Sequence, residues 1–261
     1  MKIGFVGLGN VGGKLANNLL ENNFQISVLD KNHILMDEFK LKGAKTAKSI
    51  KDLVMNSDIL ITCLPSPKIC AEVLESKDGI IDTIQKDQIW IEMSTTEDEQ
   101  LKKHASLIEQ KNAIALEAPV SGGCHRAATG NISIFVGGSR EGFDKAMPIL
   151  KYLGRKILYT GDFGSASILK VITNYLATVH LVALGEAWAI ASKSNLDLNK
   201  TYKGIAASSG NSFVHETESQ VILNGSYNIN FTMDLVEKDV GLFQDLATKL
   251  GIELEISPLI L

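Results

Sequence analysis

The sequence predicts a protein of the α/β class, with a doubly wound, mostly parallel sheet followed by a long helix and an all-α second part. Three observations predict this fold. Apolar strand-like runs alternate with amphipathic helical segments over the first 160 residues, which is typical of a parallel sheet covered by helices on both faces. A glycine-rich turn follows the first of these runs, and beyond Gly161 the chain has mostly helical patterns.

Short apolar runs bounded by glycine, proline or asparagine predict the strands. They are residues 2–6, 25–30, 57–65, 88–94, 113–120 and 131–138. After the first strand, Val11, Leu15 and Leu19 recur at helical spacing within residues 10–23, and a second helix is predicted around 33–42. The first two strands are therefore each followed by a helix that can return the chain across the sheet.

A single long helix opens the second part of the chain. Residues 165–192 contain no proline and one internal glycine, Gly185, and they run to about twice the mean helix length. Further helices are predicted over 197–224 and 232–250. We therefore predict domains at 1–161 and 162–261. The chain ends on the apolar stretch IELEISPLIL, which leads us to expect a further C-terminal segment.

Composition excludes several classes of function. The net charge is −4 and the pI is about 5.8, and no basic stripe is present to neutralise nucleic-acid phosphates or anionic lipid, so we expect neither nucleic acid nor membrane as a partner. No uninterrupted apolar run reaches the length of a membrane span. The N-terminal residues pass directly into a predicted strand, so we expect no signal peptide, and the three cysteines show no metal-ligand spacing. We expect reduced thiols, no metal site and a cytoplasmic protein.

The first glycine cluster matches the pattern G-x-G-x-x-G. Its residues are Gly7, Leu8, Gly9, Asn10, Val11 and Gly12. Alone the pattern is weak, since an empty strand–helix turn has the same glycines. Here it follows a predicted strand and opens a predicted helix, where the glycines allow a tight turn and close approach of a pyrophosphate to free helix N–H groups. It predicts a Rossmann-type dinucleotide site.

An acid at the end of the second predicted strand strengthens this interpretation. Asp30 lies 18 residues after Gly12, where a carboxylate can accept hydrogen bonds from both ribose hydroxyls and repel a 2′-phosphate. This favours NAD over NADP. Lys31 beside it is a cation that would tolerate the phosphate, so NADP is the alternative cofactor.

A second glycine cluster follows the strand that ends at Val120. Ser121, Gly122 and Gly123 offer successive N–H groups and a hydroxyl, which suit a carboxylate. Taken alone, an ordinary turn before a helix is the simpler interpretation.

The long helix carries a lysine and an asparagine one turn apart. Lys170 and Asn174 share a helix face among apolar neighbours such as Val171, Ile172 and Leu176, so we expect this segment to be largely buried. A buried ammonium gives up its proton more easily than one in water, and such a group can take the proton of an alcohol that loses a hydride. The alternative is a lysine whose stem covers apolar surface while its amine reaches water.

Four motifs occur together in one order. They are GLGNVG, EAPVSGG, GDFGSASILKVITN and LVEKDVGLFQD. Together they resemble the β-hydroxyacid dehydrogenase (3-hydroxyisobutyrate dehydrogenase-like) family over essentially the whole chain. The resemblance implies an N-terminal Rossmann domain, of the same type as the NAD-binding domain of 6-phosphogluconate dehydrogenase. It also implies an interdomain helix and a helical domain that commonly dimerises. We therefore expect a homodimer or homotetramer that transfers hydride between NAD(H) and a small β-hydroxy acid or its semialdehyde.

The resemblance also assigns roles to individual residues. It implies Lys170 and Asn174 as catalytic residues, and Ser121, Gly122 and Gly123 as the site of the substrate carboxylate. The remaining implied contacts are Phe231 and Asp239 for the substrate, and Leu64, Pro65, Thr95 and Lys238 for the cofactor. From their residue types alone, Lys238 and Asp239 could equally be a surface pair on a helix.

Alternatives within and outside the family stay open. Glu117 stands where members usually carry aspartate. 6-Phosphogluconate dehydrogenase has a histidine before the asparagine, where this chain has Thr173, and imine reductases generally lack the lysine. An NADPH-dependent reductase of glyoxylate, succinic semialdehyde or tartronate semialdehyde is the closer alternative. A non-catalytic dinucleotide-binding module is the alternative of a different class.

Overall fold

The computed structural model of the chain describes residues 1–227 and 231–261. The chain divides into two units, Met1–Lys170 and Val171–Leu261. Strand β9 ends at Gly161, and the long helix α9 begins at Ser165. The first unit holds all the strands of the described residues, and the second is helical.

The strands of the first unit form one sheet. They are β1 (Lys2–Val6), β2 (Gln25–Leu29), β3 (Lys45–Thr46), β4 (Ile59–Thr62), β5 (Ile89–Glu92), β6 (Ile114–Glu117), β7 (Val120–Ser121), β8 (Ser133–Gly138) and β9 (Lys156–Gly161). The order is β3-β2-β1-β4-β5-β6-β8-β7, with β9 paired to β8. The first six strands of this order run parallel to one another, whereas β8 runs antiparallel to β6 and β7, its neighbours in this order. The predicted doubly wound, mostly parallel sheet is confirmed.

Helices follow nearly every strand. In the first unit they are α1 (Gly12–Glu21), α2 (His33–Leu41), α3 (Ile50–Met55), α4 (Pro67–Glu75), α5 (Ile80–Thr83), α6 (Asp98–Glu109), α7 (Gly123–Ala128) and α8 (Arg140–Leu153). Then come α9 (Ser165–Lys193), α10 (Leu198–Ala206), α11 (Phe213–Leu223), α12 (Met233–Lys249) and α13 (Ser257–Ile260). Several begin on a serine whose hydroxyl accepts an N–H of the first turn, as Ser139 does for Gly142 at 3.1 Å.

The sheet is buried on both faces by two separate apolar clusters. Along β4, Ile59 and Ile61 belong to one cluster while Leu60 belongs to the other, and along β5 Ile91 and Trp90 divide in the same way. Successive side chains of a strand point to opposite faces. Strands that are apolar at every position therefore fit a sheet with helices on both sides.

Two predicted elements differ from those observed. The strand predicted over 113–120 breaks into β6 and β7, because Pro119 between them has no N–H to donate to the sheet. The region predicted as helical over 197–224 is interrupted, because it forms two helices, α10 and α11, with a non-helical connection between them. Ser212 is the N-cap of α11, since its hydroxyl accepts a hydrogen bond from the N–H of His215 at 3.0 Å.

Helix α9 is far more exposed than its composition suggests. We expected the segment around Lys170 to be largely buried, but Ile172 is 37%, Leu176 46% and Ile190 69% exposed in the single chain. The sequence led us to expect no membrane span, because no uninterrupted apolar run is long enough. Helix α9 is nevertheless long and apolar enough, by length and composition alone, to cross a membrane. Since core helices of soluble proteins pass the same test, this is weak evidence for a membrane segment.

The second unit has a small core of its own. Leu184, Trp188 and Ala191 of α9 pack with Val214 of α11. The Trp188 indole donates a hydrogen bond to Ser219 Oγ at 3.0 Å. This satisfies the polar atom of a large buried side chain.

Candidate active site

The first glycine cluster is a tight turn from β1 into α1. Gly7 has φ of +97°, and a Cβ there would lie 2.2 Å from the carbonyl oxygen of Cys63. A Cβ on Gly12 would lie 2.1 Å from the oxygen of Gly7, so both positions need glycine to keep the backbone segments this close. A Cβ on Gly9 would meet nothing within 4 Å. Gly9 therefore faces open space, as a turn that receives a pyrophosphate requires.

The Asp30 carboxylate is tied to this turn. Its Oδ2 accepts a hydrogen bond from Leu8 N at 2.6 Å, and its Oδ1 accepts one from Asn32 N at 2.7 Å. Each carboxylate oxygen can accept a second bond, so the group can still receive ribose hydroxyls. Lys31 points elsewhere: its amine lies 3.4 Å from the Glu72 carboxylate, and the Lys31 side chain is 84% exposed.

A buried hydrogen-bond chain holds the loop after β4. Trp90 Nε1 donates to Thr62 Oγ1 at 2.9 Å, and Thr62 Oγ1 donates to Glu92 Oε2 at 2.9 Å. Ser94 N donates to Glu92 Oε1 at 2.8 Å, and Ser94 Oγ accepts from Leu64 N at 2.7 Å. Glu92 thus fixes the start of the Leu64–Pro65 loop, which the sequence assigned to the cofactor. Glu92 was not predicted as a functional residue, although an acid inside the otherwise mostly apolar run QIWIEMS is a usable signal.

Burial raises the pKa values of two side chains in this region, Glu92 and Cys63. It raises the pKa of Glu92 from an ordinary 4.5 to about 6, against the opposing hydrogen bonds from Ser94 and Thr62. Burial, together with the nearby Glu92 carboxylate and Cys124, raises the pKa of the Cys63 thiol to about 12. Cys63 is therefore a thiol and not a nucleophilic thiolate at neutral pH. All three cysteines are free.

The raised pKa of Glu92 predicts a pH dependence of stability. Between pH 4.5 and 6 the folded chain holds a proton on Glu92 that the unfolded chain has released, so the free energy of unfolding falls as pH rises through this window, by about 2 kcal/mol in all. Glu92→Gln removes the titration. Relative to wild type, this variant should gain about 2 kcal/mol of stability between pH 4.5 and pH 7.5, measured by urea unfolding of the first unit.

An exposed glutamate provides the control for this measurement. Glu141 pairs with Lys145, which lowers the pKa of Glu141, so Glu141→Gln should show no relative gain as pH rises. If Glu92→Gln and wild type keep the same stability difference at pH 4.5 and 7.5, Glu92 does not titrate in this window.

The second glycine cluster lies between β7 and α7. Gly122 has φ of +130° and Gly123 φ of +78°, values that favour glycine over any side chain. Ser121 closes β7 opposite Ser133 of β8. The loop therefore projects from the same unit as the first glycine cluster, with its backbone shape fixed by glycine.

Glu117 is a second buried acid that the sequence did not mark as functional. It is fully buried at the end of β6, and its Oε1 accepts hydrogen bonds from Gly164 N at 2.7 Å and Ala166 N at 2.8 Å. Its Oε2 accepts from Ser167 N at 3.2 Å and from Ser167 Oγ. Burial raises the pKa of Glu117, while these four bonds oppose the rise. The carboxylate therefore caps the first turn of α9.

Lys170 lies one turn after that cap. Its side chain is only 7% exposed, which disagrees with the alternative of an amine that reaches freely into water. Asn174 is one turn further along the same helix. Lys170 is the last residue of the first unit, and Asn174 belongs to the second.

The second unit brings three of the predicted residues together. Asn174 Nδ2 donates to Asp239 Oδ2, and Asp239 Oδ1 lies 2.8 Å from the Lys238 amine. Asp239 is 2% exposed, so the alternative of a surface pair is wrong. Phe231, the other residue of this unit that the resemblance assigned to the substrate, is 40% exposed. In the described part of the chain, no group of three His, Cys, Asp or Glu side chains could hold a metal ion.

Two family models match the chain almost end to end. Residues 2–161 match the NAD binding domain of 6-phosphogluconate dehydrogenase. Residues 164–260 match the family described as NAD-binding of NADP-dependent 3-hydroxyisobutyrate dehydrogenase. Both halves of the chain thus belong to known dinucleotide-enzyme domains.

Individual relatives agree with these matches. Mitochondrial 3-hydroxyisobutyrate dehydrogenase of Rattus norvegicus is 33% identical over 253 residues, which cover 94% of this chain and 76% of that protein. 2-(Hydroxymethyl)glutarate dehydrogenase of Eubacterium barkeri is 30% identical, covering 93% and 81%. The structure of Mycobacterium tuberculosis 3-hydroxyisobutyrate dehydrogenase with L-serine superposes with a TM-score of 0.89 at 25% identity, covering 99% of this chain and 90% of that one.

Proposed function

The chain belongs to the β-hydroxyacid dehydrogenase family of NAD(P)-dependent oxidoreductases, and on that premise we propose that it transfers hydride between NAD(H) and a small β-hydroxy acid or its semialdehyde. The observation that carries the proposal lies in the first unit. There a glycine turn open at Gly9, an acid at the end of β2 and a buried lysine occur on one compact unit.

The residues of the first unit fit a dinucleotide. The turn from Gly7 to Gly12 would receive the pyrophosphate, Asp30 the ribose hydroxyls, and the loops at Leu64 and Thr95 the nicotinamide half. The nicotinamide, when bound, supplies the hydride acceptor or donor. We propose NAD over NADP because the Asp30 carboxylate would repel a 2′-phosphate and Lys31 is engaged with Glu72.

Lys170 has the chemistry that the proton transfer needs. When the substrate carbinol is oxidised, its hydroxyl proton must leave, and the neutral amine of Lys170 would take it; in reduction the ammonium would give the proton to the forming alcohol. The N–H groups of Gly122 and Gly123 and the hydroxyl of Ser121 would hold the substrate carboxylate. The family resemblance also assigns Asn174 and Asp239 to the substrate and Lys238 to the cofactor.

The proposed substrate class is a small hydroxy acid, because one part of the site would bind a carboxylate of the substrate and another would take the proton of its hydroxyl. The L-serine named with the Mycobacterium tuberculosis relative is a small acid with a hydroxyl on its β-carbon. We propose acids of this size and connectivity, of which 3-hydroxyisobutyrate is one. The family resemblance to an enzyme acting on 2-(hydroxymethyl)glutarate fits the same connectivity with a larger side group.

A panel of substrates with both cofactors tests this function. Purified protein should oxidise at least one acid among 3-hydroxyisobutyrate, 3-hydroxypropionate, L-serine and 2-(hydroxymethyl)glutarate with NAD, and should bind NADH at least about tenfold more tightly than NADPH, a difference of about 1.4 kcal/mol. Turnover confined to glyoxylate, succinic semialdehyde or tartronate semialdehyde with NADPH would favour the reductase alternative. Tight NADH binding without turnover of any substrate would favour a non-catalytic module.

We further propose a homodimer or homotetramer in the cytoplasm. Apolar side chains of α9 such as Leu176, Val182 and Ile190 are 44–69% exposed in the single chain. Exposed apolar surface of this kind marks sites where another protein surface packs. Light scattering of the purified chain at micromolar concentration should give at least twice the mass of one chain, and a monomer would contradict the proposal.

A further inference from the structure

The carboxylate of Glu117 occupies an unusual position for a buried charge. It has no exposed surface, and a buried carboxylate is costly unless several donors satisfy it. The four donors are Gly164 N, Ala166 N, Ser167 N and Ser167 Oγ. All of them lie at the start of α9, where the N–H groups of a helix have no partner within the helix.

The surrounding sheet is shaped to hold the carboxylate there. Glu117 of β6 is opposite Gly137 of β8, and a Cβ on Gly137 would lie 2.2 Å from Glu117 Oε1. Gly137 is not among the residues with positive φ, so the glycine provides space and not a special backbone conformation. The missing side chain of Gly137 thus leaves room for the Glu117 carboxylate, whose hydrogen-bond donors lie at the start of α9.

The same carboxylate connects two parts of the proposed site. Ser121 follows Glu117 by four residues, and Lys170 follows Ser167 by three residues and so lies on the same side of the helix. One end of the connection is the loop proposed for the substrate carboxylate, and the other is the turn that carries the amine.

Resting on the proposed function, we propose that Glu117 is a positioning residue that sets the place of the Lys170 amine relative to the carboxylate-binding loop. A misplacement of about 1 Å between reacting groups can lower a rate by about 100-fold. Aspartate at this position would keep the charge but shorten the reach by one C–C bond, about 1.5 Å. Gln would keep the length but would direct an NH₂ group at N–H donors.

The kinetic test compares Glu117→Gln and Glu117→Asp with wild type at a temperature where all three are folded. We expect kcat to fall about 10- to 100-fold in both variants, because Asp shortens the reach and Gln loses one acceptor of the helix N–H groups, while the Kd of NADH changes less than about twofold. Ser139→Ala is the matched control, since it removes the cap of α8, a helix that carries no proposed site residue. Its loss of stability should leave kcat unchanged.

A second measurement does not depend on turnover. Acetic anhydride labelling, followed by peptide mass spectrometry, measures how accessible Lys170 is relative to exposed Lys203 in the same chain. In the Gln variant the relative labelling of Lys170 should rise at least about threefold, because the first turn of α9 loses its cap. Unchanged labelling, or kcat within about threefold of wild type, would overturn the positioning role.

The outcomes also separate the two proposals. If wild type turns over no substrate, the labelling still reports whether Glu117 holds Lys170 in place, and only the enzyme assignment fails. If Lys170→Ala is inactive while Glu117→Gln is as active as wild type, the enzyme assignment stands and the positioning role fails.

Discussion

Replacing Lys170 by alanine is expected to lower kcat by about 1,000-fold while the Kd of NADH stays within about twofold of wild type. The variant keeps the glycine turn and Asp30 but has no group to take the hydroxyl proton. Truncating a side chain that is 7% exposed leaves a cavity, so activity should be compared below the melting temperature of the variant. Stopped-flow or steady-state NADH absorbance gives kcat, and calorimetric titration gives the Kd.

Lys170→Arg separates proton transfer from charge. Arginine keeps a positive charge but does not deprotonate in proteins, so this variant should be nearly as inactive as the alanine variant. Lys203→Ala, on the exposed surface of α10, is the control and should behave as wild type. Near-normal turnover of Lys170→Ala would exclude the lysine as the acid and base, and activity in the arginine variant would show that only its charge matters.

Alanine at Gly12 is expected to destabilise the first unit by about 2–3 kcal/mol, or about 5–10 °C in Tm. The new Cβ would lie 2.1 Å from the carbonyl oxygen of Gly7, so β1 and α1 must move apart. Alanine at Gly9 meets nothing within 4 Å and should leave Tm within about 1 °C of wild type. It should nevertheless raise the Kd of NADH at least tenfold, about 1.4 kcal/mol, because its methyl group occupies the approach of the pyrophosphate.

The two glycine variants are controls for each other. Calorimetric scans give Tm, and NADH titration gives the Kd, so each variant should change one quantity far more than the other at a temperature where both are folded. Unchanged NADH affinity in Gly9→Ala would mean that the cofactor does not bind over this turn, whatever the stability of Gly12→Ala.

The strands of the sheet could be predicted from the sequence because each one is marked by a short apolar run of neighbouring residues. Apolar runs such as 57–65 and 88–94 are buried on both faces, and a strand with that pattern fits few other architectures. The glycine turn was equally visible, since its pattern lies within one strand–turn–helix unit, where Gly12 must be glycine to fit against the carbonyl oxygen of Gly7. Elements of this kind depend on neighbours in the chain.

The parts that sequence did not provide depend on distant partners. Glu117 meets Gly164 47 residues away, and Asn174 meets Asp239 65 residues away, and no local pattern encodes such pairs. The exposure of Ile172 and Leu176 could not be inferred either, because an apolar helix has the same composition whether its cover is its own chain or another one. Glu92 and Glu117 lie inside predicted strands and end the observed strands β5 and β6, yet only the fold shows that each is buried with several donors.

The two tryptophans give each unit its own optical probe. Trp90 is fully buried in the first unit and is linked through Thr62 to Glu92, whereas Trp188 lies in the core of the second. Since the chain contains no other tryptophan, a Trp90→Phe chain emits from the second unit only and a Trp188→Phe chain from the first only. Fluorescence of these two chains can therefore show whether the units melt together or one after the other.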